Sequence, residues 1–358
     1  MLYLGIDQHR KQLTVNLRNE NGDILLRRQV STRWRPAHSF FSELADQASP
    51  QGGCVVIVEV CGFNDWLLAL LAEYKFLVLL VQNEKRSRRK TDRRDANQLC
   101  ELLWVNRQRL LGGDKVQGLR VVQQPTQRDA EDRQLTSLRR WIAQQRTQVL
   151  NKIQHLLLKH NLQQHSPTKG LQTKAARRWL KEELSLPAID RIEMNILLAH
   201  WEQWDQQIQE VDAQVQKRQA QNPTAVLIAS IPGAAAFASL ALACRIGSIE
   251  RFKTPKSLPN YFGIAPSCRN SGEVTQRLGS ITKIGSNMAR FVLGQLVLHV
   301  LRRDPEMKAR YLPIKRRRGS KIARVAVMRR VTVILWHMLK HQQPYSIGKP
   351  RSEIQPAA

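Results

Sequence analysis

The first hundred residues carry short apolar runs separated by amphipathic segments and polar turns. Alternating or continuous apolar runs predict strands, and apolar residues spaced three or four apart predict helices. On this basis the chain begins with the following elements: strands at 2–6, 13–17 and 24–30, a helix at 36–48, a strand at 55–58, a helix at 64–73, a strand at 76–81 and a helix that starts at 92. The second strand alternates and is expected to be half-buried. The strands after each crossover are apolar throughout, which predicts parallel pairing.

Three antiparallel strands followed by strand–helix units give the element order of a ribonuclease-H-like α/β fold. The pattern changes after Ala130, where apolar residues recur at helical spacing as far as about Gln221. Two long glutamine-rich helices in this region predict an antiparallel hairpin or coiled coil, and a short helix at 174–184 lies between them. We expect their exposed apolar stripe to pair with another subunit.

The last third of the chain is predicted to be mainly helical. A short helix, the turn Ile231-Pro232-Gly233 and an apolar helix at 237–244 resemble a helix-hairpin-helix, which offers backbone amides to a phosphate strand. Ala235 stands where such a turn usually has its second glycine. A further helix is expected at 287–300, and the basic run 315–319 is interpreted as part of a solvated tail. The predicted domains are therefore 1–129, 130–222 and 223–345, with a final tail at 346–358.

Four acidic residues stand where predicted elements of the first domain begin or end. Asp7 ends the first strand and Glu59 ends the strand at 55–58. Asp92 and Asp95 lie three residues apart at the start of a helix, so both project from one face. Taken singly, Asp92 would cap the helix and Asp95 would be a solvated acid that the helix dipole favours. Taken together, the four acids favour a hard-oxygen site for magnesium, with manganese as the alternative ion.

The chain is strongly basic, with a formal net charge of +28 and a pI near 10.7. Such a surplus predicts a polyanionic partner, because protein cations that neutralise phosphates release counterions. The longest apolar stretch, 66–81, is interrupted by Glu73 and Lys75, and the first apolar run ends at Asp7, so neither a membrane span nor a signal peptide is expected. The five cysteines form no CxxC pair, which argues against a zinc site or a disulfide framework. We expect a cytoplasmic, nucleoid-associated protein that binds nucleic acid.

Ser271 lies in a loop that is rich in cations and bounded by Gly272. The basic residues near it in sequence are Arg269, Arg277, Lys283 and Arg290. Arginines that hold phosphate oxygens would orient a phosphorus atom for attack by a serine hydroxyl. The same pattern also fits a turn serine whose neighbours, like Lys90 beside the acids, only grip backbone phosphate. Because His9 and His299 form no Ser–His–Asp grouping and are interpreted as incidental, the sequence alone leaves the role of Ser271 open.

These residues match the motifs of a known family. Over nearly its whole length the chain resembles the DEDD transposases of bacterial mobile elements of the insertion-sequence-110 type, including the 1111 branch and the related Piv-type DNA invertases. In the first half the likeness is carried by Gly5-Ile6-Asp7, Val58-Glu59 with Gly62, and Lys90-Thr91-Asp92-Arg93-Arg94-Asp95-Ala96. In the second half it is carried by Ile231-Pro232-Gly233, Arg251-Phe252, Gly263-Ile264-Ala265-Pro266, Ser271-Gly272 and Ile281-Thr282-Lys283-Ile284-Gly285.

The resemblance implies a RuvC-like domain whose magnesium ligands are Asp7, Glu59, Asp92 and Asp95. It also implies that Ser271 attacks DNA and holds it covalently, and that a noncoding bridge RNA pairs with donor and target DNA. The protein would act as a homo-oligomer, a dimer or tetramer, in which the acids of one subunit meet the serine of another. Asn270 precedes Ser271 where many relatives have a second serine, and Ser267 and Ser280 are the next candidate nucleophiles.

The sequence therefore predicts a magnesium-dependent, RNA-guided DNA recombinase that inserts and excises a mobile element. A site-specific invertase that needs no guide fits the same residues. A RuvC-like nuclease for branched DNA would use metal-activated water, leave free ends and have no use for Ser271. In a noncatalytic nucleic-acid-binding protein the four acids would be structural.

Overall fold

The computed structural model of the protein describes residues 1–83, 92–268 and 278–347. The chain divides into two compact units, Met1–Gln124 and Pro125–Ala358. This division lies ahead of the boundary expected at residue 129, because Thr126 already caps the first helix of the second unit by accepting a hydrogen bond from the Asp129 amide. In the part of the chain that the structure describes, no helix is long and apolar enough to cross a bilayer.

The first unit is a six-stranded sheet with helices on both faces. Its elements in chain order are β1 Leu2–Gln8, β2 Gln12–Arg18, β3 Ile24–Ser31, α1 Trp34–Ala48, β4 Cys54–Glu59, α2 Asp65–Glu73, β5 Leu77–Asn83, α3 Asp92–Val105, α4 Arg107–Leu111 and β6 Leu119–Val121. The strand order is β3-β2-β1-β4-β5-β6. The first three strands form an antiparallel meander, and β4 and β5 run parallel to β1. The predicted meander and the predicted parallel pairing are confirmed.

The two faces of β1 belong to different cores, because successive side chains of a strand point in opposite directions. Leu4 and Ile6 pack in one core with Phe41 of α1, whereas Tyr3 packs in the other with Cys100 of α3. Helices α1 and α2 therefore cover one face of the sheet, and α3 covers the other.

Strand β2 is buried along almost its whole length, so the expectation of a half-buried strand is wrong. Its polar face is covered by α3, which itself presents a polar side chain there. Asn16 Nδ2 donates a hydrogen bond to Asn97 Oδ1 of α3 at 3.2 Å. Polar residues that alternate along a strand thus point to a polar helix face here and not to solvent.

The second unit is mainly helical. Its elements are α5 Gln127–Lys159, α6 Lys174–Arg178, α7 Ala188–Ala220, α8 Pro223–Ile228, α9 Ala236–Ile246, α10 Ser257–Tyr261, β7 Pro266–Cys268, β8 Leu278–Ile281, α11 Asn287–Arg303 and α12 Pro305–His341. Helix α6 continues as a π-helical turn over Trp179–Glu183, which completes the short helix expected there.

Helices α5 and α7 form an antiparallel hairpin, as predicted. Three ion pairs join progressively later residues of α5 to progressively earlier residues of α7: Arg139–Asp212, Arg146–Asp205 and Lys159–Asp190. At the end of α7, Val215 enters the core that α8, α9, α11 and α12 share. The coiled-coil interpretation, and the three-domain division of the chain, stay predictions.

The basic run at 315–319 lies inside α12 and does not belong to a tail. A second helical segment begins just beyond the run, where apolar residues at helical spacing follow, among them Ala323 and Val327, which are buried. Gly319 interrupts the helical geometry with φ 81° and ψ 165°. The run itself is exposed.

Candidate functional site

Asp7 and Glu59 lie at the carboxyl ends of two neighbouring parallel strands. The register of β1 and β4 places Ile6 opposite Val58, so the next residue of each strand is an acid. The Asp7 side chain is only 15% exposed, and Glu59 is partly exposed. The structure thus brings two of the predicted site residues to one edge of the sheet.

Helix α3 brings its first turn toward the same edge. It lies directly on β1, because a Cβ atom added to Gly5 would come within 2.6 Å of both the Ala96 carbonyl oxygen and the Cys100 amide nitrogen. The last turn of α3 lies at the other end of the strands, where Trp104 Nε1 donates to the Glu20 carbonyl oxygen at 3.1 Å. Helix α3 therefore runs opposite to β1, and its first turn approaches the carboxyl end of that strand.

Asp95 lies in this first turn of α3 and is partly buried. The side chain of Asp92 and all of Lys90 fall outside the described residues. Over residues 1–83, 92–268 and 278–347, no group of three or more His, Cys, Asp or Glu side chains is arranged to hold a metal ion. Asp7, Glu59 and Asp95 do not complete such a site by themselves, and the four-acid site stays a prediction.

Two buried amides, which the sequence did not single out, join the strand ends that carry the acids. Gln8 is 7% exposed and Asn64 is 4% exposed. Asn64 Nδ2 donates to Gln8 Oε1 at 2.8 Å and to the Glu59 carbonyl oxygen at 3.2 Å. Gln8 Nε2 donates in turn to the Phe63 carbonyl oxygen at 2.9 Å. This network fixes the residues that follow both acids. Its only sequence signal is an asparagine at the start of a predicted helix.

His9 contacts the Asp7 carboxylate, although its sequence context suggested an incidental histidine. Its Nε2 lies 3.0 Å from Asp7 Oδ2. An imidazole at this distance can orient a carboxylate and, when protonated, offset its charge. The two residues lie only two positions apart at a strand end, which is the signal that could have pointed to the contact.

The candidate serine loop is framed by the two-stranded hairpin of β7 and β8. Three predicted residues of this loop lie outside the described residues: Arg269, Ser271 and Arg277. In the hairpin, Pro266 pairs with Ile281. Ser267 Oγ donates to the Ser280 carbonyl oxygen at 2.9 Å, so this hydroxyl has a structural partner.

Lys283 and Arg290 lie after the hairpin and differ in their surroundings. Lys283 is exposed and adopts a positive φ of 56°. Arg290 donates to the carbonyl oxygens of Phe262 and Gly285 at 3.0 and 3.1 Å, and burial lowers the pKa of its guanidinium. The contacts of Arg290 therefore hold the backbone around the hairpin, whereas Lys283 is accessible to a phosphate. Nucleic-acid binding by both stays a prediction.

Helices α8 and α9 are joined by a turn, in the order that was expected for a helix-hairpin-helix. Gly233 has a φ of 86°, and a Cβ atom there would come within 2.5 Å of the His299 side chain, so glycine is required. Ala235 has a φ of −61° and a ψ of 176°, an extended conformation that any residue adopts. Alanine in place of the second glycine therefore leaves this turn unstrained.

Comparison with known families assigns both halves of the chain. A DEDD-type model of the IS110 group, described as "Transposase", matches residues 4–162. A second model, "Transposase IS116/IS110/IS902 family", matches residues 225–312. The first match contains the acid-bearing strand ends and α3, and the second contains the α8–α9 turn and the frame of the serine loop.

The sheet with acids at its strand ends and the start of the helical second half thus each resemble a part of known transposases. Both family models describe IS110-type transposases, so the chain is similar to this family in each of the two matched segments. A curated relative, "Putative transposase y4qE" of Sinorhizobium fredii (strain NBRC 101917 / NGR234), is 36% identical over 64 residues, which make up 18% of this chain and 16% of the relative.

Proposed function

We propose that this protein is the transposase of a bacterial mobile element and that it cuts and rejoins DNA. The observation that carries the proposal is the meeting of Asp7, Glu59 and the first turn of α3 at one edge of the sheet. The strand order supports a ribonuclease-H-like, RuvC-like fold for Met1–Gln124. Similarity to IS110-type transposases supports DNA as the substrate.

The acid site would hold a divalent cation, Mg2+ or Mn2+, through Asp7, Glu59, Asp92 and Asp95. The donor set fits such an ion, because carboxylate oxygens are the ligands that hard divalent cations prefer. When bound, the cation would supply Lewis-acid polarisation of the scissile phosphate. The chain's own residues would position the ligands: Gln8 and Asn64 hold the two strand ends, and His9 orients the Asp7 carboxylate.

Ser271 would be the nucleophile. Its oxygen would form a bond to the phosphorus while the bond to the leaving oxygen of the DNA strand breaks, and that oxygen would take up a proton. A serine ester retains the energy of the broken phosphodiester, so rejoining needs no external source. Exposed Lys283 beside the loop supports phosphate binding there.

Two further features support the partners that the family implies. The net charge of +28 is large enough for RNA as well as DNA, and we propose a noncoding guide RNA. On α7, Ile189, Ile192 and Ile196 are exposed at helical spacing, which supports self-association of the hairpin as a dimer or tetramer. An assembly of this kind on DNA and RNA would act in the cytoplasm.

The acid site is tested by strand cleavage. Asp7→Asn, Glu59→Gln and Asp95→Asn should each abolish metal-dependent cleavage and leave DNA binding largely intact. The matched controls are Asp46→Asn and Glu73→Gln, two exposed acids of the same unit that should remain active. Full cleavage by all three site variants would overturn the proposal.

The fate of the cut strand separates the remaining alternatives. Stalled reactions should yield protein attached to DNA through boiling in detergent, and Ser271→Ala should lose this adduct while Ser42→Ala keeps it. An adduct that persists in Ser271→Ala would transfer the role to Ser267 or Ser280. Cleavage with no adduct would indicate a water-using nuclease, and full recombination after exhaustive ribonuclease treatment would indicate an invertase without a guide.

A further inference from the structure

A polar groove with a volume of about 450 Å3 lies beside the acid-bearing strand ends. It is bounded by α3 on one side and by the edge strand β3 on the other. The residues that line it are mostly polar: Thr14, Asn16, Arg27, Arg28, Gln29 and Asn97. Nothing in the proposed cleavage chemistry uses these residues.

The pairing of the strands connects the groove to Asp7. Asp7 is opposite Thr14 in the β1–β2 pair, and Thr14 is opposite Gln29 in the β2–β3 pair. Residues directly opposite each other in antiparallel strands point to the same face. The groove therefore continues a row of side chains that begins at the acid. Two strand spacings separate β1 from β3, roughly 10 Å, over which one strand of a duplex presents about three phosphates.

Two oxygen atoms on the floor of the groove are buried without a hydrogen-bond partner among the described residues. Thr14 is 4% exposed and Asn16 is 1% exposed, and the unpartnered atoms are Thr14 Oγ1 and Asn16 Oδ1. Burying an oxygen acceptor without a donor costs folding free energy. A ligand that brings a donor into the groove would recover that cost.

The orientation of the Asn16 amide is fixed by its neighbours. Arg18 can only donate, and its guanidinium donates to Asn97 Oδ1 at 3.2 Å. Asn97 therefore turns its oxygen toward Asn16, which must present its NH2 group in return, at 3.2 Å. Asn16 Oδ1 is thus the atom left over, and it can only accept.

The outer wall of the groove carries positive charge. Arg27 is exposed on β3 and lies opposite Asn16 in the strand register. Arg28 lies opposite Val15, which packs in the core on the α1 side, so the Arg28 side chain points to that other face. No acidic residue lines the groove in the described part of the chain. An exposed arginine beside buried acceptors fits a ligand that combines phosphates with hydroxyl donors.

We infer that this groove binds a ribose-phosphate strand, that is, RNA alone or the RNA strand of a hybrid with DNA. A ribose 2′-hydroxyl would donate to Asn16 Oδ1 or Thr14 Oγ1 while Arg27 holds a flanking phosphate. The sugar–phosphate backbone of DNA has no hydroxyl group except at its two ends. It would therefore leave both buried oxygens unpaired. The inference rests on the proposed function for the presence of nucleic acid at the acid site, and it adds a place where the protein distinguishes RNA from DNA.

The test compares the affinities of the full chain for a labelled single-stranded oligoribonucleotide and the same sequence as DNA. Other basic regions contact the phosphates of RNA and of DNA alike, so their contribution to the affinity cancels in the ratio of the two dissociation constants. We expect RNA to bind about three- to tenfold more tightly, the value of one or two hydrogen bonds. Thr14→Val has the same shape without the hydroxyl, and it should reduce the ratio at least twofold. An equal affinity of the wild-type protein for RNA and DNA would overturn the inference.

A second variant keeps the test decisive if Thr14→Val fails to fold. Arg27→Gln lies at an exposed position and should weaken RNA binding and reduce the salt slope by about one. The control, Arg35→Gln, is an exposed arginine of α1 on the opposite face and should change neither. Equal effects of the two arginine variants would contradict the groove.

These binding measurements need neither metal nor cleavage, so the two proposals can fail separately. Loss of cleavage in the acid variants, with an unchanged RNA preference in Thr14→Val and an unchanged RNA affinity in Arg27→Gln, would remove the groove alone. Cleavage that survives in the acid variants would instead remove the proposed function.

Discussion

Gly5 lies beneath α3 at the point where the helix crosses β1. The atoms that a Cβ would meet are a backbone carbonyl oxygen and a backbone amide nitrogen, both at 2.6 Å. A flexible side chain could move aside, but the backbone of a hydrogen-bonded helix cannot do so locally. Any side chain at Gly5 would therefore displace the whole of α3, together with the acids of its first turn.

Gly5→Ala should lower the free energy of unfolding of the first unit by about 1–3 kcal/mol, because overpacking forces the backbone to shift. Urea unfolding measures this loss. We also expect reduced DNA cleavage, because α3 positions Asp95. Gly62→Ala is the control, since a Cβ there meets nothing within 4 Å. Equal stability of the two variants would mean that α3 can move away from β1 at little cost.

The buried amide pair Gln8–Asn64 makes a second prediction at this scale. Asn64→Leu leaves the buried Gln8 Oε1 with only the weak thiol donor of Cys61, at 3.7 Å, which should cost about 1–3 kcal/mol. The double variant Gln8→Leu/Asn64→Leu removes both polar groups and should be more stable than the sum of the single changes implies. A double-mutant cycle in urea measures the coupling, and strict additivity would show that the amides stabilise independently.

At the scale of elements, the hairpin of α5 and α7 is joined by an acid that contacts two basic side chains. Asp190 Oδ1 accepts from Lys159 Nζ at 2.8 Å, and Asp190 Oδ2 lies 2.6 Å from His160 Nε2. The hydrogen bond from Lys159 is the main cause, and that from His160 the second, of a lowered pKa for the Asp190 carboxyl. A carboxyl whose pKa is lowered by folding stabilises the folded state at pH values at which it is ionised.

Asp190→Asn should therefore lower the melting temperature at neutral pH. The difference from the wild type should be complete above the ordinary carboxyl pKa of 3.8 and should shrink as the pH falls through the lowered pKa of the folded state. Thermal unfolding between pH 7 and pH 3 measures it. Glu193→Gln, an exposed change on the same helix, should show no such dependence, and a difference for Asp190→Asn that persists at the lowest pH would point to packing instead of charge.

The regular elements were largely predictable, because each has an apolar pattern of its own. The meander, the parallel strands and the two long helices of the hairpin fall where the pattern places them, whereas α12 was missed because its basic run was interpreted as a tail. Strand β6 and helix α4 were missed, since each is short and its few apolar residues acquire a buried side only in the folded unit. The burial of β2 depends on Asn97, which is distant in sequence.

The candidate site was predictable to a smaller extent. The strand ends at Asp7 and Glu59 follow from two apolar runs that each stop at an acid. The Gln8–Asn64 network and the groove beside β3 depend on pairings between distant segments. A glutamine after a strand or an asparagine within one is ordinarily solvated, so neither carries a signal in the sequence.

At the scale of the molecule, the division at Gln124 predicts that the first unit folds alone. A fragment of residues 1–124 should unfold cooperatively in urea. A fragment that ends at residue 118 lacks β6 and the hydrogen bond from the Val122 amide to the Leu80 carbonyl oxygen, at 2.7 Å, and should be less stable. Circular dichroism during urea unfolding compares the two fragments. A longer fragment that is unfolded would show that the second unit is needed for folding.

The position of β1 also affects the order in which the protein can fold during synthesis on the ribosome. Strand β1 precedes the other strands of the sheet in the chain and becomes an inner strand, flanked by β2 and β4. It can form a hairpin with β2 early. Its other neighbours follow later: β4 is complete when synthesis has passed Glu59, and α3 when it has passed Val105. Closing these long loops is the slow part of folding for such a topology. A nascent chain thus carries its first acid long before the partners of that acid exist, and a message broken before Val105 encodes a product without the assembled sheet edge.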